Sequence, residues 1–191
     1  MAHHQDAASP TIVTIFGSSR AQPEDEEYEA ARRLGQLLAE RGWTICNGGN
    51  QGTMEASARG AKEAGGSTIG VTIGTYRSGR PNPWLDQEIS TETLFHRLEQ
   101  LVSFGEGFVV LRGAIGTLLE LSLIWNLSHF PHWGQKPIVV VGPEWSSIAD
   151  QLRANLPFHP KEWDTLAFVA TVDEAVQYLA GRLPRSAIEE R

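Results

Sequence analysis

An unbroken apolar run over residues 107–111 passes straight into Arg112-Gly113-Ala114-Ile115-Gly116-Thr117-Leu118-Leu119-Glu120, and a second apolar run follows over 121–125. A buried strand, a glycine turn and a helix joined this tightly form one half of a βαβ unit. The rest of the chain repeats the pattern. Continuous apolar strands are expected over 11–16, 43–47, 67–73, 107–111, 137–141 and 166–170. Helical periodicity lies between them, over 23–41, 52–64, 92–104, 115–128 and 145–155, and again after 171. Strands that are apolar at every position are buried on both faces, which requires a parallel sheet covered by helices on either side. The expectation is a doubly wound α/β fold with about six or seven strands. A single domain is expected over 11–183, with a flexible tail over 1–10 and a frayed one over 184–191. The segment 74–83, rich in glycine, proline and arginine, reads as a surface loop.

Local signals agree with this division. In the helix over 23–41, Tyr28, Ala31, Leu34, Leu37 and Leu38 recur at helical spacing behind an acidic first turn. Thr171 with Glu174 three residues on predicts a capping box. With 16 basic and 23 acidic residues the net charge is −7, which argues against a nucleic-acid partner, because backbone affinity needs clustered cations. Cys46 is the only cysteine, so no disulfide forms within the chain and a cytoplasmic setting fits. It ends an apolar strand and reads as a buried, inert thiol. The first six residues lack the basic-then-apolar order of a secretory signal, and no apolar run is long enough to span a membrane.

In open α/β sheets, ligands bind beyond the carboxyl ends of the strands, at the switch point of strand order. Three glycine turns follow strands and can converge there. The first, Gly17-Ser18-Ser19, offers close backbone approach and two hydroxyls. The second, Asn47-Gly48-Gly49-Asn50-Gln51-Gly52, has three glycines in five positions before a helix, suiting either phosphate approach or tight packing. Its spacing is not that of the dinucleotide fingerprint. The third contains Arg112, Gly113, Gly116 and Thr117. The first N–H groups of a helix lack intrahelical partners, and the dipole favours an anion there. Glu120, one turn further in, is poorly placed to hold a phosphate. It is either a solvated surface carboxylate or a group that handles a sugar. Arg97, between Leu94 and Leu101, has an equally plain alternative as a snorkelling arginine. Trp84, Phe95, Trp125 and Trp133 are candidates for base stacking or an interface, or simply core.

These residues together resemble the Lonely guy (LOG) family, whose members are often mislabelled lysine decarboxylases. The early Gly17-Ser18-Ser19 turn, the Gly48-Gly49-Asn50-Gln51-Gly52-Thr53-Met54 turn, Arg97 fifteen residues before Arg112, and Gly116-Thr117 ahead of Glu120 match the family's motifs in order and spacing. The likeness runs over roughly 11–141. It implies a Rossmann-like fold, a homodimer or larger assembly, and binding of nucleoside 5′-monophosphates without metal or cofactor. The implied activity is that of a phosphoribohydrolase, releasing the base and ribose 5-phosphate from cytokinin riboside 5′-monophosphate or an AMP-like nucleotide, with Arg97 and Glu120 as the functional pair. Two positions depart from the pattern. Arg112 replaces the motif's proline, and either binds phosphate or pairs with a carboxylate. Ala114 replaces its second glycine, so the loop either is strained or takes another path. The departures leave open a non-catalytic nucleotide-binding or sensing protein. Neither Lys62 nor Lys136 stands in a pyridoxal-phosphate setting.

Overall fold

The computed structural model describes residues 10–74 and 81–184. Among the described residues seven strands form one sheet: β1 (Ile12–Phe16), β2 (Thr44–Asn47), β3 (Thr68–Ile73), β4 (Gln87–Thr91), β5 (Gly107–Val110), β6 (Ile138–Val141) and β7 (Leu166–Val169). All pairings are parallel, in the order β4-β3-β2-β1-β5-β6-β7. Six of these strands lie within a residue or so of their expected limits. The seventh, β4, was not anticipated. Its sequence Gln-Glu-Ile-Ser-Thr carries one apolar residue, because it forms an edge of the sheet and is half solvated.

The helices are α1 (Glu26–Ala39), α2 (Thr53–Glu63), α3 (Leu94–Phe104), α4 (Ile115–Leu127), α5 (Pro143–Asn155) and α6 (Val172–Ala180). They cover the two faces separately. Leu34 and Leu38 of α1, Ala56 of α2 and Leu179 of α6 meet Val13, Ile15, Ile45, Val109 and Val139. On the opposite face Leu101 of α3, Ile124 of α4 and Trp145 of α5 meet Phe16, Cys46, Phe108, Val110 and Val140. Neighbours along each strand thus alternate between the two cores, and both cores demand apolar residues, which is why the strands read as continuous runs. Fully burying one such side chain contributes about 1.5–3 kcal/mol. Cys46 sits in the second core, and burial pushes its thiol up to about 12, far from reactivity at neutral pH.

Thr171 caps α6 as expected, its hydroxyl accepting from Glu174 N–H at 3.3 Å, but the Glu174 carboxylate reaches one residue further back, to Ala170 N–H at 2.8 Å. Pro184, expected to begin the frayed end, is held instead: the Trp43 indole N–H donates to its carbonyl at 2.7 Å. The rest of both tails, and the centre of the loop expected over 74–83, lie outside the described residues.

The chain lays down β1 to β4 in one direction, then returns to place β5 on the other side of β1. The switch point therefore falls between β1 and β5. The two glycine turns that leave these strands are neighbours in space.

Candidate active site

Hydrogen bonds tie all three turns into one floor. Ser18 N–H donates to the Arg112 carbonyl at 3.1 Å, extending the β1–β5 pairing past the strand ends. The Ser18 carbonyl accepts from both the backbone N–H (2.8 Å) and the hydroxyl (3.1 Å) of Thr53, which opens α2. The Thr117 hydroxyl donates to the Gly17 carbonyl at 3.1 Å. Thr117, a candidate site residue that lines the cavity, thereby joins the first turn to the third. A side chain at Gly17 would press on Thr53 Oγ1 and come within 3.2 Å of Leu111 Cβ, so this turn leaves no room for one.

Above the floor lies a cavity of about 690 Å³. Gly17, Ser18, Ser19, Gly116 and Thr117 line one end and Gly48, Arg97 and Glu120 its wall. The N-terminus of α4 has no side-chain cap, so its first N–H groups lack a side-chain partner, and Ala114, Gly116 and Thr117 at that end line the cavity. At Gly116 an added Cβ would meet nothing within 4 Å, so the glycine keeps the helix end open. Ala114 resolves its own alternative: φ is −103°, an extended conformation natural to alanine, and among the described residues no non-glycine residue has positive φ. The loop takes another path and bears no strain there.

Arg97 is no snorkelling arginine. Its side chain is 12% exposed, with Nε donating to the Val71 carbonyl at 2.9 Å and Nη1 to Glu120 Oε1 at 3.3 Å. A Cβ at Gly48 would overlap this guanidinium, so the second turn makes room for Arg97. Nor is Glu120 a solvated carboxylate: its side chain is 10% exposed. Burial pushes it up to about 7, outweighing the opposing pull of the Arg97 charge and hydrogen bond. An acid poised near neutrality, held by a fixed cation in a cleft, is suited to proton transfer or to balancing positive charge on a substrate.

The remaining sequence candidates lie elsewhere. Gly49 and Gly52 do not line the cavity. Gly49 packs on Thr72, and Gly52 lies against the Ser18–Ser19 backbone, with φ of +70° and +73° respectively. Here the packing reading of the second turn holds. Gly113 backs onto Thr117. The Arg112 side chain, 65% exposed, points away from the cavity toward Glu144, with Nη1 4.0 Å from Oε1. Of its two expected partners it has taken the carboxylate, because the first turn of α5 brings Glu144 beside it. None of the four aromatic candidates lines the cavity: Trp125 is buried, Trp133 stacks on Phe108 at 5.5 Å, and Phe95 is 82% exposed on α3.

Arg20, Asn50, Glu92 and Thr93 also line the cavity and were not foreseen as site residues. Arg20 had one available signal, its place directly after Gly-Ser-Ser. Thr93 caps α3, accepting from His96 N–H at 3.2 Å, which is the signature of any helix start. Among the described residues, no three His, Cys, Asp or Glu side chains group to hold a metal, and no helix is long and apolar enough to cross a membrane.

The chain is similar in sequence and fold to known proteins. The chain is 36% identical, over 78% of its length and 72% of the relative's, to a cytokinin riboside 5′-monophosphate phosphoribohydrolase of Mycobacterium tuberculosis. It is 28% identical over 73% of its length to a pyrimidine/purine nucleotide 5′-monophosphate nucleosidase of Escherichia coli, spanning 32% of that longer protein. Among solved structures, the molybdenum cofactor carrier protein of Chlamydomonas reinhardtii superposes with a TM-score of 0.69 at 26% identity, over 92% of this chain and 100% of the carrier. The sequence profile of the SLOG cluster4 family matches residues 10–175. With its LOG-type motifs assembled around one cavity at the switch point, the chain belongs to the SLOG cluster4 family.

Proposed function

We propose that this protein hydrolyses the N-glycosidic bond of nucleoside 5′-monophosphates, cytokinin riboside monophosphate or an AMP-like nucleotide, to a free base and ribose 5-phosphate. The observation that carries the reading is the buried Arg97–Glu120 pair in a cavity that also receives the uncapped N-terminus of α4. The names of the mycobacterial and E. coli relatives point to the same reaction. In this reading the 5′-phosphate lies against the Gly17–Ser19 turn and Gly116, which sets the ribose beside Glu120. As the bond breaks, positive charge develops at C1′ and the bonding electrons leave with the base. Ionised Glu120 accepts from the ribose hydroxyls, balances that charge and takes a proton from the attacking water, and that proton passes on to the released base, which restores the carboxylate. Arg97 stays charged throughout and fixes Glu120 or stabilises the departing base. No pyridoxal phosphate is required.

The test is incubation with AMP and chromatography of the products. Adenine and ribose 5-phosphate should appear, and Glu120→Gln should slow base release at least about tenfold, within the usual range for a positioned acid–base group, while leaving AMP binding in place. Because the ionised carboxylate is the working form, base release should rise as pH climbs through about 7. An unchanged rate in the variant removes Glu120 from the mechanism.

The second reading, a nucleotide-binding or carrier protein without catalysis, is favoured by Arg112 and Ala114 at altered motif positions and by the likeness to the carrier. Binding of AMP with no adenine released selects it. We further infer a cytoplasmic homodimer: Phe95 on α3 and Ile115, Leu118 and Leu119 on α4 form an exposed apolar face beside the cavity, suited to a second copy. Sedimentation at the mass of a single chain would count against it.

A further inference from the structure

We propose that Arg20 is the residue by which this site distinguishes a phosphorylated nucleoside from an unphosphorylated one, closing over the 5′-phosphate. The inference deepens the nucleotide reading and rests on it. Arg20 lines the same cavity as Ser18, Ser19, Gly116 and Thr117, and its side chain is exposed. Its backbone is held: Arg20 N–H donates to Ser18 Oγ at 3.1 Å, and the Arg20 carbonyl accepts from Gln22 Nε2 at 3.0 Å. The Ser18 carbonyl is in turn fixed by Thr53. A hydrogen-bonded turn thus presents an exposed guanidinium.

That guanidinium is unlike the others. Among the described residues, Arg32, Arg33, Arg59, Arg97, Arg112 and Arg153 each have a carboxylate partner. Arg41 and Arg182 lie over aromatic rings. Arg20 has neither.

Charge balance gives it a task. The cavity wall carries two carboxylates, Glu92 and Glu120, in a chain of net charge −7. Arg97 is engaged by Glu120 and the Val71 carbonyl, and Arg112 faces Glu144. The dipole of α4 supplies only about half an elementary charge. A phosphate dianion brought to this end of the cavity needs a full cation, and among the described residues that line it Arg20 is the cation not engaged by a carboxylate. A guanidinium offers the fork of donors that phosphate oxygens accept in pairs.

The test is titration calorimetry of wild type, Arg20→Gln and Arg20→Lys with AMP, ribose 5-phosphate, inorganic phosphate and adenosine. Arg20→Gln should weaken AMP and ribose 5-phosphate at least about tenfold, the scale of a lost charge-assisted pair of hydrogen bonds, and leave adenosine affinity alone. Arg20→Lys should fall between, because it keeps the charge and loses the fork. Added salt should weaken AMP binding more in wild type than in Arg20→Gln. AMP affinity unchanged in Arg20→Gln, or adenosine lost in equal measure, overturns the proposal. Wild type that binds AMP without releasing adenine, yet shows the Arg20→Gln loss, removes the hydrolase and keeps the role of Arg20. Wild type that binds none of the phosphorylated probes removes both.

Discussion

The turn after β2 and the turn after β5 are both rich in glycine, and their glycines serve opposite ends. After β2 the fold itself needs them. Gly52 has φ +73° and ψ −136°, a region open essentially to glycine, and its Cα lies so near the first turn that a Cβ would sit 2.6 Å from Ser19 C. Gly49 and Gly48 are enclosed by Thr72 and by Arg97. After β5 the chain is extended at Ala114 rather than left-handed, and a Cβ at Gly116 meets open space. One turn spends its glycines on packing three segments together. In the other, Gly113 packs against Thr117 and Gly116 leaves the start of α4 open. Counting glycines does not separate these uses; only backbone angle and surroundings do.

Substitution should split the two turns. Gly52→Ala combines an unfavourable backbone region, about 1–3 kcal/mol, with overpacking of about 1–3 kcal/mol. It should lower the melting temperature by several degrees in a thermal scan, at about 2–4 °C per kcal/mol for a chain of this size. A melting point within one degree of wild type would mean that the turn relaxes freely and that the contrast is false. Gly116→Ala should do the reverse. Near the start of α4, alanine should leave stability unchanged or raise it by up to about 1 kcal/mol. Its methyl group occupies the approach to the helix N–H groups, so AMP affinity should fall about tenfold, the scale of one lost hydrogen bond to a charged group. Full affinity in Gly116→Ala would move the phosphate away from this helix end.

The same contrast explains what was legible beforehand. Strands buried on both faces announce themselves as apolar runs, so six of the seven were readable. Strand β4 was hidden because the sheet edge asks only for extended backbone. In the site, Glu120 and Arg97 were found through motif order and spacing. Their burial was not readable, because it depends on Gly48 leaving room for a guanidinium that arrives from a helix about fifty residues later in the chain. Arg112 shows the same limit from the other side. A cation beside a glycine turn suggests phosphate, yet its direction is set by Glu144 on α5. Arg20 stands directly after Gly17-Ser18-Ser19, but its significance is the lack of a carboxylate or ring partner among the described residues, a property of the folded structure alone.

Ala114 supplies the finest cut. If the turn after β5 uses glycine only for space, restoring the family's residue by Ala114→Gly should gain nothing. Alanine already adopts φ −103° and ψ −150° without penalty, so the change mainly enlarges the freedom of the unfolded chain. That should cost about 0.4–1 kcal/mol, read as a melting point lower by about 1–4 °C. Base release from AMP should change by less than about threefold. A large gain in rate would show instead that the reaction needs a loop path that alanine forbids, making this residue the switch between hydrolase and carrier. Comparing that variant with Gly116→Ala separates the two uses of the turn. One chiefly changes the path the backbone is free to take, and the other chiefly changes the room left beside it.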